Sequence, residues 1–139
     1  MNVHFMSEKI DYGTPDYIFE PLNEKYNFTL DVCANKENAK CEKFYSKEED
    51  GLKQVWQGRC WMNPPYGRAI GEWVKKAHDS IYTAEIIVAL LPARTDTKYF
   101  HDYIYKKFEI EFLKGRIKFE GGKHSAPFPS MLVFFEKQS

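Results

Sequence analysis

The sequence predicts a single α/β domain built around a parallel sheet, and three observations support this. The 139 residues are 43% hydrophobic and 17% aromatic, which is enough for one domain with a sizeable core. Residues 86–91 form a continuous apolar run that ends at Pro92, typical of a strand buried on both faces. An amphipathic segment joins this run to an earlier apolar stretch, 60–62. A strand, a helix and a second strand in this order predict a βαβ unit, whose strands run parallel.

The N-terminal part predicts a helix followed by a strand. Thr14 should cap the helix and Pro15 should occupy its first position, while Pro21 would bend or shorten it. Residues 27–32 alternate apolar and polar, which predicts a strand with Asp31 near its carboxyl end. Asp31 could bind hydroxyl or ammonium groups of a ligand, or it could cap the next turn. The spacing alone favours neither interpretation.

Residues 33–58 are polar and irregular, with a few aromatic and aliphatic side chains as anchors to the core. Ser46 and Glu49 predict a capping box at the start of a brief helix. Asp50 and Gly51 then turn the chain. Asp50 could accept a hydrogen bond from a ligand, and a purely turn-forming role is an equally good interpretation.

In the second half, apolar residues recur at helical spacing and predict an amphipathic helix over 68–82. A polar loop, 94–97, follows the buried strand at the same edge of the sheet. Either Thr95 or Asp96 should cap the helix that comes next. Further strands are expected at 108–112, 117–119 and 131–135.

Charged residues near this edge and in the C-terminal loop 121–130 are candidates for contact with nucleic acid. The loop begins with two glycines and ends between prolines, so it should be flexible at its start and stiff at its end. Helix capping at 94–97 and an ordinary hairpin with surface lysines at 121–130 are the alternatives. The candidates are Arg94, Asp96, Arg116, Lys118, Lys123 and His124.

The stretch 61–67 couples the apolar end of a strand to a stiff polar tip, and we interpret it as an active site. Pro64 and Pro65 remove two backbone donors and favour extended geometry in the residues before them, which leaves carbonyl oxygens as acceptors. Asn63 adds a side-chain amide, and Tyr66 adds an aromatic face. In open α/β sheets, ligands bind at this edge.

These groups suit the alkylation of an exocyclic amine on a nucleobase. Such an amine is a poor nucleophile because its lone pair is delocalised into the ring. If the Asn63 side-chain oxygen and the Pro64 carbonyl each accept one N–H, the lone pair can turn toward an electrophile. Tyr66 would stack on the base, at roughly 1–3 kcal/mol. The alternative interpretation of the motif is a turn stiffened by proline.

Composition indicates the cellular compartment of the protein, the state of its cysteines and the distribution of its charge. The sequence has no apolar run of membrane-helix length and no apolar signal core, so we expect a cytosolic protein. Three cysteines without a Cys-x-x-Cys pair support neither a disulfide framework nor a zinc site. The formal charge is zero, but residues 1–50 carry 11 acids and 6 bases, so the positive residues concentrate in the second half. That half could face phosphate, although scattered lysines are also typical of a solvated surface.

In a single ordered series of blocks the chain resembles the phage-type adenine-specific DNA methyltransferases, the Dam-like N6-adenine group. The resemblance extends from about residue 12 to residue 135. The blocks are Thr14-Pro15, Leu30-Asp31-Val32-Cys33-Ala34, Asn38-Ala39-Lys40-Cys41, Asp50-Gly51-Leu52, Trp56, Asn63-Pro64-Pro65-Tyr66-Gly67, Leu91-Pro92-Ala93-Arg94-Thr95-Asp96-Thr97, Gly115-Arg116-Ile117-Lys118-Phe119 and Ala126-Pro127-Phe128-Pro129-Ser130.

The resemblance implies a single-domain, Rossmann-like methyltransferase fold with a mostly parallel sheet and an antiparallel C-terminal strand. It implies S-adenosylmethionine as cofactor, double-stranded DNA as partner, and methyl transfer to N6 of a flipped-out adenine. From the size of the chain we expect no separate target-recognition domain, and the sequence leaves open whether the protein acts as a monomer or a dimer. The implied catalytic residues are Asn63, Pro64, Pro65 and Tyr66. The implied cofactor-binding residues are Thr14, Pro15, Asp31, Ala34 and Asp50.

One departure from the family concerns the cofactor site. The wider class has a glycine-rich turn after its first strand, whereas no glycine follows Asp31 before Gly51. Two other functions stay open on the sequence. The first is methylation of another amine, such as cytosine N4, RNA adenine or protein glutamine, and the second is a non-catalytic DNA-binding module with the same fold.

Overall fold

The computed structural model describes residues 13–119 and 125–138, in which a five-stranded sheet lies between helices on its two faces. The helices are α1 (Asp16–Tyr26), α2 (Ile70–Asp79) and α3 (Lys98–Tyr103). The strands are β1 (Leu30–Asp31), β2 (Gly58–Met62), β3 (Ala84–Pro92), β4 (Glu109–Phe112) and β5 (Ser130–Phe135). Short 3-10 helices occupy Gly51–Lys53 and Ser80–Tyr82.

The strands are ordered β1-β2-β3-β5-β4 across the sheet. β2 pairs in parallel with β1 and with β3, so the βαβ unit predicted from the sequence is confirmed. β5 runs antiparallel to both of its neighbours, β3 and β4. The sheet is therefore mixed. Its parallel part brings the carboxyl ends of β1, β2 and β3 to one edge.

Alternate residues of each central strand face opposite sides of the sheet, and each side has its own core. On β3, Ile86, Val88 and Leu90 pack in the cluster that also contains residues of α1. The residues between them, Ile87, Ala89 and Leu91, pack in the cluster that contains residues of α2 and α3. The continuous apolar run of β3 thus reflects burial on both faces, as the sequence predicts.

Helix α1 begins one residue later than expected. Pro15 is the N-cap, with an extended backbone (φ −64°, ψ 148°), so Asp16 is the first helical residue. The predicted capping role of Thr14 is wrong, because the helix has no side-chain cap and the Thr14 hydroxyl contacts Asn63 instead. Pro21 lies inside the helix without ending it. The helix stops at Asn27, whose left-handed backbone (φ 52°) is typical of a C-terminal cap.

The other helix boundaries also differ from the predictions. Ser46 and Glu49 do exchange hydrogen bonds as in a capping box, but they close a turn and not a helix. α2 begins at Ile70 and not at 68, and its last predicted turn is a 3-10 helix. The cap of α3 is Thr97, whose side chain accepts from the N–H of Phe100, and neither Thr95 nor Asp96 has this role.

The strand expected at 117–119 is absent from the described part of the chain. Ile117 and Phe119 are nevertheless buried, at 2% and 4% exposure, because they pack against the α1 face of the sheet. The Ile117 carbonyl oxygen accepts from the N–H of Ala126, which ties this segment to the residues just before β5. An alternating pattern therefore marks burial here without a strand ladder.

The outer edge of β1 is partly covered by residues 43–45. The N–H of Asp31 donates to the Lys43 carbonyl, the N–H of Tyr45 donates to the Asp31 carbonyl, and Phe44 forms a parallel bridge with Asp31. This explains how a strand of two residues is held in place. Within the ranges 13–119 and 125–138, no helix is both long and apolar enough to cross a membrane.

Candidate active site

The carboxyl edge of the parallel strands collects most of the residues that the sequence predicts to be functional. Asn63 follows β2 directly, and the loop 63–69 leads from it into α2. Pro64 is buried, Pro65 is exposed, and Asn63 and Tyr66 are half-buried. The loop therefore has an anchored start and an accessible tip at the edge where the ends of β1 and β3 also lie.

The Asn63 side chain is fixed at both ends of its amide. Its Nδ2 donates to Thr14 Oγ1 at 3.1 Å. Its Oδ1 lies 3.0 Å from the Tyr66 hydroxyl, which is also 3.2 Å from the carbonyl oxygen of Leu90 on β3. A phenol has one proton, so Tyr66 donates to one of these two oxygens at a time. Three segments of the chain thus meet at one amide.

The Tyr66 ring is packed among other aromatic side chains. Phe128 and Phe119 lie edge to face with it, at ring-centroid distances of 5.5 and 6.1 Å. Arg94 places its guanidinium carbon 5.6 Å from the centre of the Phe128 ring. The ring that the sequence predicts to stack on a base is therefore held by its hydroxyl and by two phenylalanines, which sequence reasoning did not assign to the site.

Pro64 supplies the second predicted acceptor. No N–H or O–H group of residues 13–119 or 125–138 donates to its carbonyl oxygen. The sequence favours this state, since Pro65 disfavours helical geometry at Pro64 and so keeps its carbonyl out of a helix ladder. A carbonyl in this position can accept a hydrogen bond from a ligand amine.

Asp31 lies at the end of β1 and is 2% exposed. Its Oδ1 accepts from the N–H of Cys33 at 3.2 Å and its Oδ2 from the N–H of Lys40 at 3.0 Å. Burial raises the pKa of this carboxyl to about 6, although the two N–H groups oppose the shift. Of the two interpretations that the sequence left open, the turn-capping one describes the contacts within the protein.

Asp50 and Gly51 lie beside the same strand end. Asp50 has a left-handed backbone (φ 55°), and its side chain accepts from the N–H of Leu52. Gly51 is in close contact with the carbonyl of Val32. Ala34, also predicted to bind cofactor, donates its N–H to the carbonyl of Tyr45. The predicted cofactor residues after β1 therefore form one structured corner, although they are distant in sequence.

The three cysteines near this corner are free thiols, with Cys60 buried and Cys33 and Cys41 half-buried. Burial raises the pKa of Cys33, Cys41 and Cys60 to about 12 in each case, which keeps the thiols protonated and unreactive near neutral pH. The charges of Asp31 and Asp50 add to the shift at Cys33, so both carboxylates are close to it. Among the described residues, no group of three or more His, Cys, Asp or Glu side chains could hold a metal ion.

Among the predicted substrate-binding residues, Arg94 contacts Phe128 and Lys118 precedes Phe119, and both phenylalanines pack on Tyr66. Arg94, Asp96, Arg116 and Lys118 are exposed. Arg116 and Lys118 flank the buried Ile117 and so alternate with the residues that anchor their segment. Lys123 and His124 lie outside the described residues.

A cavity of about 410 Å³ opens between the loop after β2 and the loop after β3. Its walls are mostly apolar, with arginines among the lining residues, and its size is in the range of small-molecule sites. Sequence reasoning missed Arg68 and Tyr99, which line it, because neither belongs to a recognisable motif. The lining residues are Tyr66, Gly67, Arg68, Ile70, Pro92, Arg94, Thr97 and Tyr99. A second cleft, of about 450 Å³, contains none of the predicted catalytic residues.

Lys40, in the polar and irregular segment 33–58, is a further residue that sequence reasoning did not assign to the site. Its side chain is only 12% exposed, and its amine lies 3.7 Å from Asp16 Oδ1 and 5.8 Å from the centre of the Phe19 ring. Lys40 therefore joins the loop after β1 to the first turns of α1. The one feature of the sequence that could have drawn attention to Lys40 is its position in the block 38–41 of the family resemblance.

Comparison with known proteins identifies the family. Residues 4–138 match the family described as DNA N-6-adenine-methyltransferase (Dam). The DNA N-6-adenine-methyltransferase of Haemophilus phage HP1 (strain HP1c1) is 33% identical over 142 residues, which cover 96% of this chain and 82% of the relative. That of Escherichia phage T1 is 36% identical over 106 residues, which cover 74% of this chain and 44% of the relative. The protein therefore belongs to the DNA N-6-adenine-methyltransferase (Dam) family.

Proposed function

We propose that the protein transfers a methyl group from S-adenosylmethionine to N6 of a flipped-out adenine in double-stranded DNA. The observation that carries this proposal is the pair of adjacent acceptors at the carboxyl edge, the Asn63 amide and the Pro64 carbonyl. The first is fixed by two hydrogen bonds, and the second receives none from the described residues. Family membership and the relatives named DNA N-6-adenine-methyltransferase support the same reaction.

The two acceptors raise the nucleophilicity of the amine without a charged base. Each takes one N–H of the adenine amine, so the nitrogen lone pair turns out of conjugation with the ring. Because the acceptors are already in place, little reorganisation is needed at the moment of reaction. Bound S-adenosylmethionine would supply the electrophilic methyl group for a direct in-line transfer.

The corner after β1 fits the cofactor in its chemistry. S-adenosylmethionine carries an ammonium group and ribose hydroxyls, which need acceptors, and the carboxylates of Asp31 and Asp50 both lie near Cys33. We assign these two acids, Ala34 and Pro15 to the cofactor site. We also infer that the parallel part of the sheet corresponds to a Rossmann-like methyltransferase sheet, in which ligands bind at the carboxyl edge.

The adenine is handled by Tyr66 and the cavity beside it. Tyr66 lines the 410 Å³ cavity, and its ring would provide a stacking surface for the base. Extracting a base from a duplex costs a few kcal/mol, which the protein must recover from contacts with the displaced nucleotide and with the DNA backbone. We assign phosphate contacts to the exposed side chains of Arg94, Arg116 and Lys118, with Asp96 as a polar neighbour. From the sequence alone we assign the same role to Lys123 and His124.

The test is methyl transfer from labelled S-adenosylmethionine to defined duplex oligonucleotides, with wild type, Asn63→Ala and Asn23→Ala. Asn23 is a matched control, because its side-chain oxygen also accepts a hydrogen bond, from the N–H of Phe28, at the amino end of β1. We expect Asn63→Ala to abolish transfer while calorimetry shows unchanged cofactor binding, and Asn23→Ala to stay active. Normal turnover of Asn63→Ala would show that Asn63 is not a catalytic residue.

The same experiment separates the competing functions. Mass analysis of digested DNA, RNA and protein after reaction distinguishes adenine N6 from cytosine N4, RNA adenine and protein glutamine as the acceptor. Failure of the wild type to bind S-adenosylmethionine at millimolar concentration would instead indicate a non-catalytic DNA-binding module.

A further inference from the structure

Thr14 and Asn63 are joined by a hydrogen bond across 49 positions of sequence, from Asn63 Nδ2 to Thr14 Oγ1. Thr14 is one of the few polar residues in the protein interior, at 1% exposure. A threonine that does not cap its helix and is fully buried would normally be replaceable by an apolar residue of the same shape. Its hydroxyl instead contacts the amide that the proposed reaction depends on.

The contact holds the amide of Asn63 in the orientation that the structure shows, with Thr14 Oγ1 as the acceptor. An amide has an acceptor end and a donor end, and only the acceptor end can take an N–H of adenine. With Nδ2 directed at Thr14, Oδ1 lies at the Tyr66 side of the loop. A rotation of the amide by half a turn would present N–H groups to the adenine amine, and two donors would then face each other.

Thr14 is itself held rigidly with respect to Asn63. It precedes α1, and Phe19 of that helix packs edge to face on Trp61, two residues before Asn63, at a ring-centroid distance of 5.3 Å. Trp61 is 1% exposed and sits on β2. A hydroxyl on so fixed a support can hold a partner in one orientation, as an outer-layer hydrogen bond does for catalytic groups generally.

We propose that Thr14 is a positioning residue, whose hydroxyl holds the Asn63 amide with its oxygen toward the amine to be methylated. This rests on the proposed function, in which Asn63 Oδ1 accepts from the adenine amine. It assigns Thr14 a role at the reacting end of the site in place of the cofactor contact that the family resemblance implies.

The experiment compares Thr14→Val, which keeps the shape and removes the hydroxyl, with Thr14→Ser, which keeps the hydroxyl. Thr14→Ala is a second variant without the hydroxyl, for use where valine disturbs folding. Thr83→Val is the matched control, because it removes a threonine hydroxyl that donates to the carbonyl of Trp56 at the other end of the sheet. For each we measure kcat and KM on duplex DNA, and cofactor affinity by calorimetry.

We expect Thr14→Val and Thr14→Ala to lower kcat about tenfold, as the loss of one hydrogen bond to a reacting group predicts. Cofactor affinity should be unchanged, and Thr14→Ser and Thr83→Val should resemble the wild type. A normal kcat in both hydroxyl-free variants would overturn the proposal. So would a loss confined to cofactor affinity, or a serine variant as impaired as the valine one.

A second readout does not depend on activity. In the cofactor-free protein, the side-chain amide NMR signals of Asn63 are those missing from Asn63→Ala. They should shift in Thr14→Val and Thr14→Ala and stay in place in Thr83→Val; unshifted signals would contradict the contact. If the wild type transfers no methyl group to duplex DNA, the proposed function fails. If Asn63→Ala is fully active, the catalytic role of Asn63 and the positioning role of Thr14 both fail, whereas an inactive Asn63→Ala with an unaffected Thr14→Val defeats only the positioning role.

Discussion

A Cβ atom on Gly51 would lie 2.1 Å from the carbonyl oxygen of Val32, a distance that no side chain can occupy. The backbone of residue 51 therefore crosses the end of β1 in direct contact. The Trp56 indole N–H donates to the Gly51 carbonyl at 2.8 Å and holds the crossing in place.

We expect Gly51→Ala to destabilise the protein strongly, because the new methyl group meets backbone and cannot be accommodated by a rotamer change. Overpacking of this kind costs about 1–3 kcal/mol or more. Gly71→Ala is the matched control: its Cβ would have ordinary contacts, 3.7 Å or more from Tyr99, and alanine favours the interior of α2. In urea unfolding, the free energy of unfolding should fall in Gly51→Ala and should be unchanged or higher in Gly71→Ala. Equal stability of the two variants would contradict the contact.

The fold could be predicted where local pattern and tertiary burial agree. The run 86–91 has no polar residue because both faces of β3 are covered, so its identity as a central strand was visible in the sequence. β1 was predicted as six residues and has two, because its length is set by the segment 43–45 that pairs with it. Such pairing between distant segments leaves no local signal.

The stability of the protein should depend on pH through Asp31. Burial raises the pKa of its carboxyl from 3.8 to about 6 in the folded protein, so the folded state binds this proton more tightly than the unfolded chain. The stabilisation is complete below about pH 4 and is lost as the pH rises through 6, a change of at most about 3 kcal/mol. Urea unfolding between pH 4 and pH 7.5 measures it.

Asp31→Asn should flatten this pH dependence, because the asparagine does not titrate. Asp79→Asn is the control. A hydrogen bond from Lys75 lowers the pKa of Asp79, so the stability that Asp79 contributes is lost only as the pH falls below the range from pH 4 to pH 7.5. The slope between pH 4 and pH 7.5 should therefore survive in Asp79→Asn. If Asp31→Asn retains the wild-type slope as well, another group causes it.

The N-terminus of α3 depends on Thr97, whose Oγ1 accepts from the N–H of Phe100 and donates to the carbonyl of Arg94 at 2.7 Å. We expect Thr97→Ala to cost about 1 kcal/mol of unfolding free energy, as the loss of a helix cap does. Thr95→Ala, at the exposed position that the sequence also offered as a cap, should change it by less than about 0.5 kcal/mol. Thermal melting of both variants checks this. A larger loss of unfolding free energy in Thr95→Ala than in Thr97→Ala would show that Thr97 is not the cap.

The candidate site was partly visible in the sequence, for a physical reason. Two consecutive prolines between an asparagine and a tyrosine restrict the backbone locally, so the acceptor loop after β2 could be identified from adjacent residues. The contact of Thr14 with Asn63 could not, because it depends on how α1 packs across the sheet. The same holds for Phe119 and Phe128, whose contact with Tyr66 joins segments that share no local pattern.

Tyr66 combines a ring and a hydroxyl, and substitution separates their contributions. Tyr66→Phe keeps the stacking surface and removes the group that contacts Asn63 and Leu90, so stability should fall by about 1 kcal/mol and kcat/KM by less than about tenfold. Tyr66→Ala also removes the ring and should lower kcat/KM on duplex DNA by roughly 5- to 150-fold more, the equivalent of one base stack. Tyr82→Ala, 75% exposed at the amino end of β3, is the control and should leave transfer unchanged.

A mispaired target adenine gives the ring a sharper test. Such a base costs less to unstack than a paired one, which should raise kcat/KM in the wild type and in both variants. The ring stacks on the flipped base in either case, so Tyr66→Ala should lower kcat/KM by the same factor on mispaired and paired substrates. A phenylalanine variant as impaired as the alanine one on both substrates would show that the hydroxyl, through Asn63, matters more than stacking.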